Sequence, residues 1–210
     1  MIKVLIADDH PLFREGIKRM LSETSDMVVA DEASNGQEVL NIVKKNDFDV
    51  IMLDISMPGR SGLDIIKQLK CDRPDLHILI LSMHSEEEYA ERALKAGAAG
   101  YLVKKTTPDE LVTAIRKVSM GKKYVSSSLA ERLACQIGKN FKKMPHESLS
   151  DREYEVMCMI ASGKRIKEIA EELSLSRKTI TTHRTHILGK MGLKNNSQLT
   201  HYAIQNQLVN

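Results

Sequence analysis

Hydrophobic positions follow two rhythms along this chain. Through about the first 120 residues, short apolar runs alternate with amphipathic stretches, and residues 3–7, 27–33, 50–55, 78–81 and 100–103 read as strands. Three of these runs (VLIA, VIML and ILIL) are continuously apolar, as parallel strands covered on both faces by helices must be. Helix starts lie between them: Asn35 with Glu38, Ser85 with Glu88, and Thr107 with Glu110 each place a capping side chain three residues before a glutamate. Pro108 falls at a first helical position, where its missing N–H costs nothing. Five strand–helix units in this length predict an α/β domain with a doubly wound, five-stranded parallel sheet.

After Gly121 the strand rhythm stops. Residues 122–146 are lysine-rich, reach Pro145 and read as a linker with a helical middle near 129–137. From there the pattern is all helix. Ser150 and Glu153 form a capping box, and Gly163 closes that first helix. A short helix over 166–173, a tight turn at 174–176, a longer helix over 177–191 ended by Gly192, and a last helix over 197–207 follow. The predicted layout is an α/β domain over 1–121, a partly helical linker over 122–146 and a small all-α helix-turn-helix domain over 147–210.

Composition narrows the setting. No apolar run approaches the roughly 20 residues that cross a bilayer, and MIKVLIADDH turns acidic too early for a secretory signal. Cys71, Cys135 and Cys158 are odd in number and form no CxxC pair, so they read as free thiols in a reducing compartment. A cytoplasmic protein is expected. The net charge of +3 is uneven: residues 1–121 carry −4, 122–146 carry +5 and 147–210 carry +2. An acidic first domain joined to a basic remainder points to two modules with different partners, one of them nucleic acid.

Candidate chemistry gathers at predicted strand ends. Asp8 and Asp9 follow the first strand and Asp54 closes the third. Ligands of doubly wound sheets bind beyond the carboxyl ends of the strands, where strand order reverses. If strands one and three are neighbours, three carboxylates converge there and raise one another's pKa values. A Mg²⁺ site with one or two direct carboxylates and several waters relieves that repulsion. Ser82 follows the fourth strand and Lys104 the fifth, on the same rim. A carboxylate can attack phosphorus to form an acyl phosphate, while a cation and an ammonium group stabilise the transferring charge. Singly, these residues read as a helix cap, a turn serine and a surface lysine; together, at four strand ends, they read as one site.

Asp8–Asp9, Asp54 followed by Met57-Pro58-Gly59 and Gly62, Ser82, and the run AGAAGYLVK ending at Lys104 resemble a receiver domain over residues 1–120 in order and spacing. The resemblance implies that Asp54 is the phosphoacceptor and that Asp9 binds Mg²⁺ directly. Asp8 assists, partly through water, and the Ser56 carbonyl is a further ligand. It also implies Ser82 and Tyr101 as a switch pair and Lys104 as the contact to the phosphoryl group. Receivers often carry proline after this lysine, commonly with a cis bond. Lys105 predicts a trans bond here, because a non-proline cis bond costs about 2.5–4 kcal/mol. Ser56 and His84, each two residues past a pocket residue, are expected to flank the path of attacking water and tune hydrolysis.

On the helix over 177–191, Ile180, Ile187, Leu188 and Met191 share one side, and Lys178, Thr181, Thr182 and Thr185 another. A short helix, tight turn and longer helix can place the longer one in a major groove; a small bundle with a solvated face fits the spacing equally well. The residues LSDREYEVMCMIASGKRIKEIAEELSLSRKTITTHRTHILGKMGLKNNSQL resemble the four-helix LuxR-type DNA-binding domain. With a receiver, that is the NarL/FixJ class of two-component response regulators. The resemblance implies base-edge contacts from Thr181, Thr182 and Thr185, and phosphate contacts from Lys178, Thr179, Arg184 and Lys190. It implies dimerisation through the last helix, with Ser197, Thr200, His201 and Ile204. Thr181 and Thr185 stand where relatives can carry lysine, and Asn196 where arginine is usual, so a shallow salt slope and some A·T preference are expected. His183 has no second metal ligand at useful spacing and reads as a packed or phosphate-contacting histidine. Lys122–Lys123 and Lys142–Lys143 read as solvated linker charges.

These readings combine into a cycle. A partner histidine kinase phosphorylates Asp54, Lys104 and Ser82 are drawn in, and Tyr101 turns inward as the surrounding face repacks. In proteins of this class the unphosphorylated receiver can cover the recognition helix, and the resemblance implies that activation frees it to bind double-stranded DNA as a homodimer. No enzyme activity is expected beyond the protein's own phosphoryl transfer and dephosphorylation. An aspartate-nucleophile phosphatase would need a second acid two residues after Asp54, where Ser56 stands. A phosphorylation-independent regulator using the receiver as a docking module is the other alternative.

Overall fold

The computed structural model describes residues 1–84, 86–127, 129–131 and 144–209, with the backbone alone for 86–88. The chain divides into two compact units, Met1–Ala130 and Glu131–Asn210. In the first, strands β1 (Ile2–Ala7), β2 (Met27–Ala33), β3 (Val50–Leu53), β4 (His77–Ser82) and β5 (Gly100–Val103) alternate with helices α1 (Pro11–Ser22), α2 (Gly36–Val43), α3 (Gly62–Asp72), α4 (Glu86–Ala96) and α5 (Pro108–Ser119). The sheet is parallel, in the order β2-β1-β3-β4-β5. β1 and β3 are therefore neighbours, and strand order reverses beside them. Every residue of β3 is buried, as its unbroken apolar run requires. Val4, Ile6, Met52, Leu79 and Leu81 share a core with Ile17 and Leu21 of α1 and with Leu111, Ile115 and Val118 of α5.

β3 is shorter than its apolar run. It stops at Leu53 because the Asp54 side chain accepts the Ser56 N–H at 3.0 Å, turning the chain out of the sheet. The helix starts carry half of each expected capping box. Asn35 and Thr107 accept the N–H groups of Glu38 and Glu110. The returning carboxylates go elsewhere: Glu38 takes the Ser34 N–H at 2.7 Å, and Glu110 takes the Thr106 and Tyr124 hydroxyls. The expected cap at Ser85 lies outside the described residues, as do Cys135, Lys142–Lys143 and most of the linker's helical middle. Cys71 and Cys158 are free thiols.

The beginning of the expected linker stays with the first unit. Tyr124 bridges to Gly100, its N–H donating to the Ala99 carbonyl at 2.9 Å, and Lys123 Nζ donates to the Ala98 carbonyl at 2.6 Å. This segment covers the outer edge of β5, whose backbone groups otherwise lack partners.

The second unit opens with a 3-10 turn (Pro145–Ser148), followed by α6 (Asp151–Ala161), α7 (Ile166–Glu172), α8 (Arg177–Met191) and α9 (Asn196–Gln205). Ser150 and Glu153 form the complete capping box the sequence predicts. Gly163 and Gly192 end α6 and α8 with positive φ, where any other side chain would crowd its own carbonyl. Ile180, Ile187, Leu188 and Met191 are buried, leaving the polar stripe of α8 outward. Among the described residues, no helix is long and apolar enough to cross a membrane.

Candidate functional site

At the carboxyl ends of β1 and β3, Asp8 and Asp54 are both buried. The parallel register pairs Ala7 with Leu53, so the residues that follow meet at one depth, and the Asp54 N–H donates to the Ala7 carbonyl at 2.9 Å. The register of β5 on β4 pairs Val103 with Ser82, which puts Lys104 on the same rim. Its Nζ lies 2.6 Å from Asp54 Oδ2 and 2.6 Å from Asp8 Oδ2. The loop after Asp54 depends on Gly62: a Cβ there would lie 2.6 Å from Ile55 Cα. No larger residue lets α3 approach that backbone so closely.

Burial pushes the Asp54 carboxyl above its ordinary range and the Asp8 charge adds to this, while Lys104 and the Ser56 N–H pull the other way. Burial works against the Lys104 ammonium, yet Asp54 and Asp8 together hold its pKa above the ordinary lysine value. The ammonium stays charged and divides itself between two carboxylates.

Asp8, Asp9, His10 and Asp54 each offer a ligand atom, all within 4.8 Å of one another. Asp9 Oδ1 is buried and accepts no hydrogen bond, although His10 Nδ1 lies 2.9 Å away. A buried carboxylate oxygen left in that state suits a hard cation that takes oxygen ligands. Ser56 Oγ is also buried without a hydrogen-bond partner.

Ser82 and Tyr101, the pair expected to act as a switch, both reach His84. Tyr101 is already fully buried, and its hydroxyl donates to the His84 carbonyl at 3.0 Å. Lys104 is likewise already at Asp54. The ammonium is paired with the two carboxylates and the phenol with the backbone. Ser82 Oγ accepts the His84 N–H at 3.2 Å, so both switch side chains hold the same residue. No cis peptide occurs among the described residues, so the bond before Lys105 is trans as expected.

Two neighbours of this pocket escaped sequence reasoning. The Phe13 ring lies 4.7 Å from Lys104 Nζ, a cation–π contact that walls one side of the ammonium. His10 Nδ1 sits 3.1 Å from Asp8 Oδ1. Phe13 falls on the apolar stripe of α1 with Ile17, so its spacing signals only core. The ammonium it walls reaches that position only when the sheet is assembled.

On the second unit, Lys178, Thr181, Thr182 and Thr185 are exposed along one side of α8. Each of the three threonine hydroxyls donates to the carbonyl four residues back, at 2.9, 3.0 and 3.1 Å in chain order. Thr179 belongs to the helix start, its hydroxyl 2.8 Å from that of Ser176. Arg184 Nε donates to Asn196 Oδ1 at 2.6 Å. Lys190 Nζ lies 2.6 Å from the buried Glu153 carboxylate, an engagement that α8 alone does not reveal. Burial holds the His183 imidazole below its ordinary pKa, with Arg152 nearby adding to the effect. Ser197, His201 and Ile204 are exposed on α9, and Thr200 is half-buried.

The chain matches two family models: the response regulator receiver domain over residues 4–116 and the bacterial regulatory proteins of the luxR family over residues 147–203. It is 39% identical to the response regulator UvrY of Escherichia coli (strain K12) over the whole chain and 97% of that protein. Among solved structures it resembles RcsB from Salmonella enterica serovar Typhimurium bound to promoter rprA in the presence of phosphomimetic BeF3-. That similarity has a TM-score of 0.66 at 29% identity, over 96% of this chain and 98% of the other. It also resembles a structure of two RcsB dimers bound to two parallel DNAs (TM-score 0.59, 31% identity, 96% of each chain). With both domains matched and relatives spanning the whole chain, the chain belongs to the DNA-binding transcriptional response regulators that join a receiver domain to a LuxR-type domain.

Proposed function

We propose that Asp54 accepts a phosphoryl group from a partner sensor histidine kinase, and that this modification controls dimerisation and binding to double-stranded DNA. One observation carries the reading: a charged lysine is buried between two carboxylates at the strand-order reversal, 2.6 Å from each. Breaking such a buried pair costs about 3–5 kcal/mol. The arrangement holds positive charge where a phosphoryl group would bring negative charge.

In the transfer, an Asp54 carboxylate oxygen attacks phosphorus, an O–P bond forms, and the N–P bond of the donor phosphohistidine breaks with its electron pair returning to the imidazole. Mg²⁺ held by Asp9, Asp54 and the Ser56 carbonyl, with Asp8 assisting, supplies positive charge against the phosphoryl oxygens when bound. Lys104 moves from its shared carboxylate pairing to the new phosphoryl oxygens. Ser82 now accepts the His84 N–H, which leaves its own proton to donate to the phosphoryl group. Since Ser82 and Tyr101 both hold His84, drawing Ser82 away loosens the bond Tyr101 makes. The switch is thus a rearrangement of hydrogen bonds around an already buried tyrosine. Beyond this self-modification and its hydrolysis the protein is a regulator in the cytoplasm, and its α9 surface at Ser197, Thr200, His201 and Ile204 serves dimerisation.

The test is incubation with Mg²⁺ and a small phosphodonor, then intact mass and DNA binding on the same sample. One added phosphate, absent in Asp54→Ala and accompanied by tighter DNA binding, is the expected result. Equal DNA affinity of both forms would overturn the coupling and favour a receiver used only for docking.

A further inference from the structure

We infer that α8 reads DNA through the γ-methyl groups and hydroxyl lone pairs of Thr181, Thr182 and Thr185, and that its preferred site depends on thymine 5-methyl groups. This rests on the placement of α8 in the major groove; what the geometry adds is the part of each side chain presented to it.

At 3.6 residues per turn, Lys178, Thr181, Thr182 and Thr185 fall within one narrow arc, opposite the buried Ile180, Ile187 and Met191. Threonine is usually counted as either donor or acceptor. Here the three hydroxyl protons are committed to the carbonyls of Arg177, Lys178 and Thr181. Each of those carbonyls lies in the preceding turn, so the bonds belong to the helix and do not need a neighbour to hold them. What remains facing outward is an apolar methyl and an oxygen that can only accept. Gly189 continues the stripe one turn on, with nothing within 4 Å of the position a Cβ would take, so the threonines are the last side chains on this line.

The edges of the bases sort against such a surface. Guanine offers two acceptors in the major groove and no donor, which an accepting oxygen cannot satisfy. Adenine and cytosine offer an amino donor, and thymine alone offers a methyl. Three methyls in two adjacent turns match successive thymines, with the lone pairs taking adenine amino groups. Lys178, at the N-terminal end of the stripe, supplies the one cation there.

The test uses the full-length protein, Mg²⁺ and a small phosphodonor. A preferred duplex is selected from a random library, and its thymines are then replaced singly by deoxyuridine. That change removes only a methyl. Affinity is expected to fall about fourfold at two or three clustered thymines, the effect of one buried methyl group. Thr181→Ser and Thr185→Ser keep the hydroxyl and its backbone bond, so each should lose a similar factor and become insensitive to deoxyuridine at one matching position. Thr185→Val keeps the methyl and should retain that sensitivity; thermal midpoints of the variants confirm folding. Specific binding that is indifferent to deoxyuridine at every position, or a selected motif of G·C pairs at the centre, would overturn the inference while leaving α8 as the reading helix. Failure to select any sequence would overturn both.

Discussion

Lys104 and Asp54 stand fifty residues apart in sequence and 2.6 Å apart in the fold, and the same ammonium lies 2.6 Å from Asp8. One ammonium thus pairs with two carboxylates inside the pocket. Its resting stability and its reactivity therefore draw on the same three side chains.

Removing the cation should expose that dependence. Lys104→Met leaves two buried carboxylates facing each other, and a loss of about 3–5 kcal/mol is expected at neutral pH. Without the lysine, burial and the facing Asp8 charge hold the Asp54 pKa still further above its unfolded value. The contribution of Asp54 is then fully present at low pH and lost as pH climbs through its folded value, so the variant should gain stability between pH 7 and 5. Thermal unfolding across that range, with and without Mg²⁺, checks this; Mg²⁺ should raise the variant's midpoint more than the parent's.

Gly62→Ala places a methyl 2.6 Å from Ile55 Cα, against backbone that cannot swing aside. Overpacking of this kind costs about 1–3 kcal/mol. Because Ile55 adjoins Asp54, a slower phosphorylation rate should accompany the lower midpoint. A normal rate in a destabilised variant would show that the loop moves without disturbing the acceptor.

Glu153 links a capping box to α8. Burial would raise its carboxyl, but Lys190 and the Ser150 groups hold it below the ordinary value. A depressed folded pKa contributes stability above the unfolded value, about 4.3, and that contribution is lost as pH falls through the folded one. The parent should therefore lose stability more steeply than Glu153→Gln between pH 5 and 3, in urea or thermal unfolding of the full chain.

Ser56 and His84 are expected to set the lifetime of the phosphoryl group. Ser56 Oγ is buried without a hydrogen-bond partner, and the His84 ring packs at a tilt against Tyr89, with centroids 4.5 Å apart. Replacing both by leucine should exclude attacking water and slow loss of the acyl phosphate several-fold. An unchanged decay, followed by intact mass after the donor is removed, would clear these residues of any such role.

Lys178 is the cation on the threonine stripe of α8, while Lys190 is paired with the Glu153 carboxylate. Thr185→Lys adds one exposed charge and should steepen the slope of log affinity against log salt by about 0.9, the release of one counterion per phosphate contacted. A titration at four or five salt concentrations measures it.

How far the chain alone revealed this depends on the range of each interaction. Parallel strands, helix starts and helix stops follow from local rules, and β2, the complete box at Ser150 and Glu153, and α8 with its Gly192 stop were all legible. So were Asp8, Asp54, Ser82 and Lys104 as strand-end residues, because sequence period and strand direction together dictate which end of the sheet they occupy.

What the linear pattern left open was decided by pairing. Strand order put β1 beside β3, and only then did Asp8 meet Asp54, and Lys104 both of them. The docking of Tyr124 along β5 and the wall formed by Phe13 came from partners distant in sequence. Lys190 looked like a free cation on its helix, yet in the fold a buried carboxylate on α6 holds it. Hydrophobic period and capping act over a few residues and can be read in order. A charge's partner is chosen by whichever opposite charge the packed chain brings within reach, and that choice exists only in three dimensions.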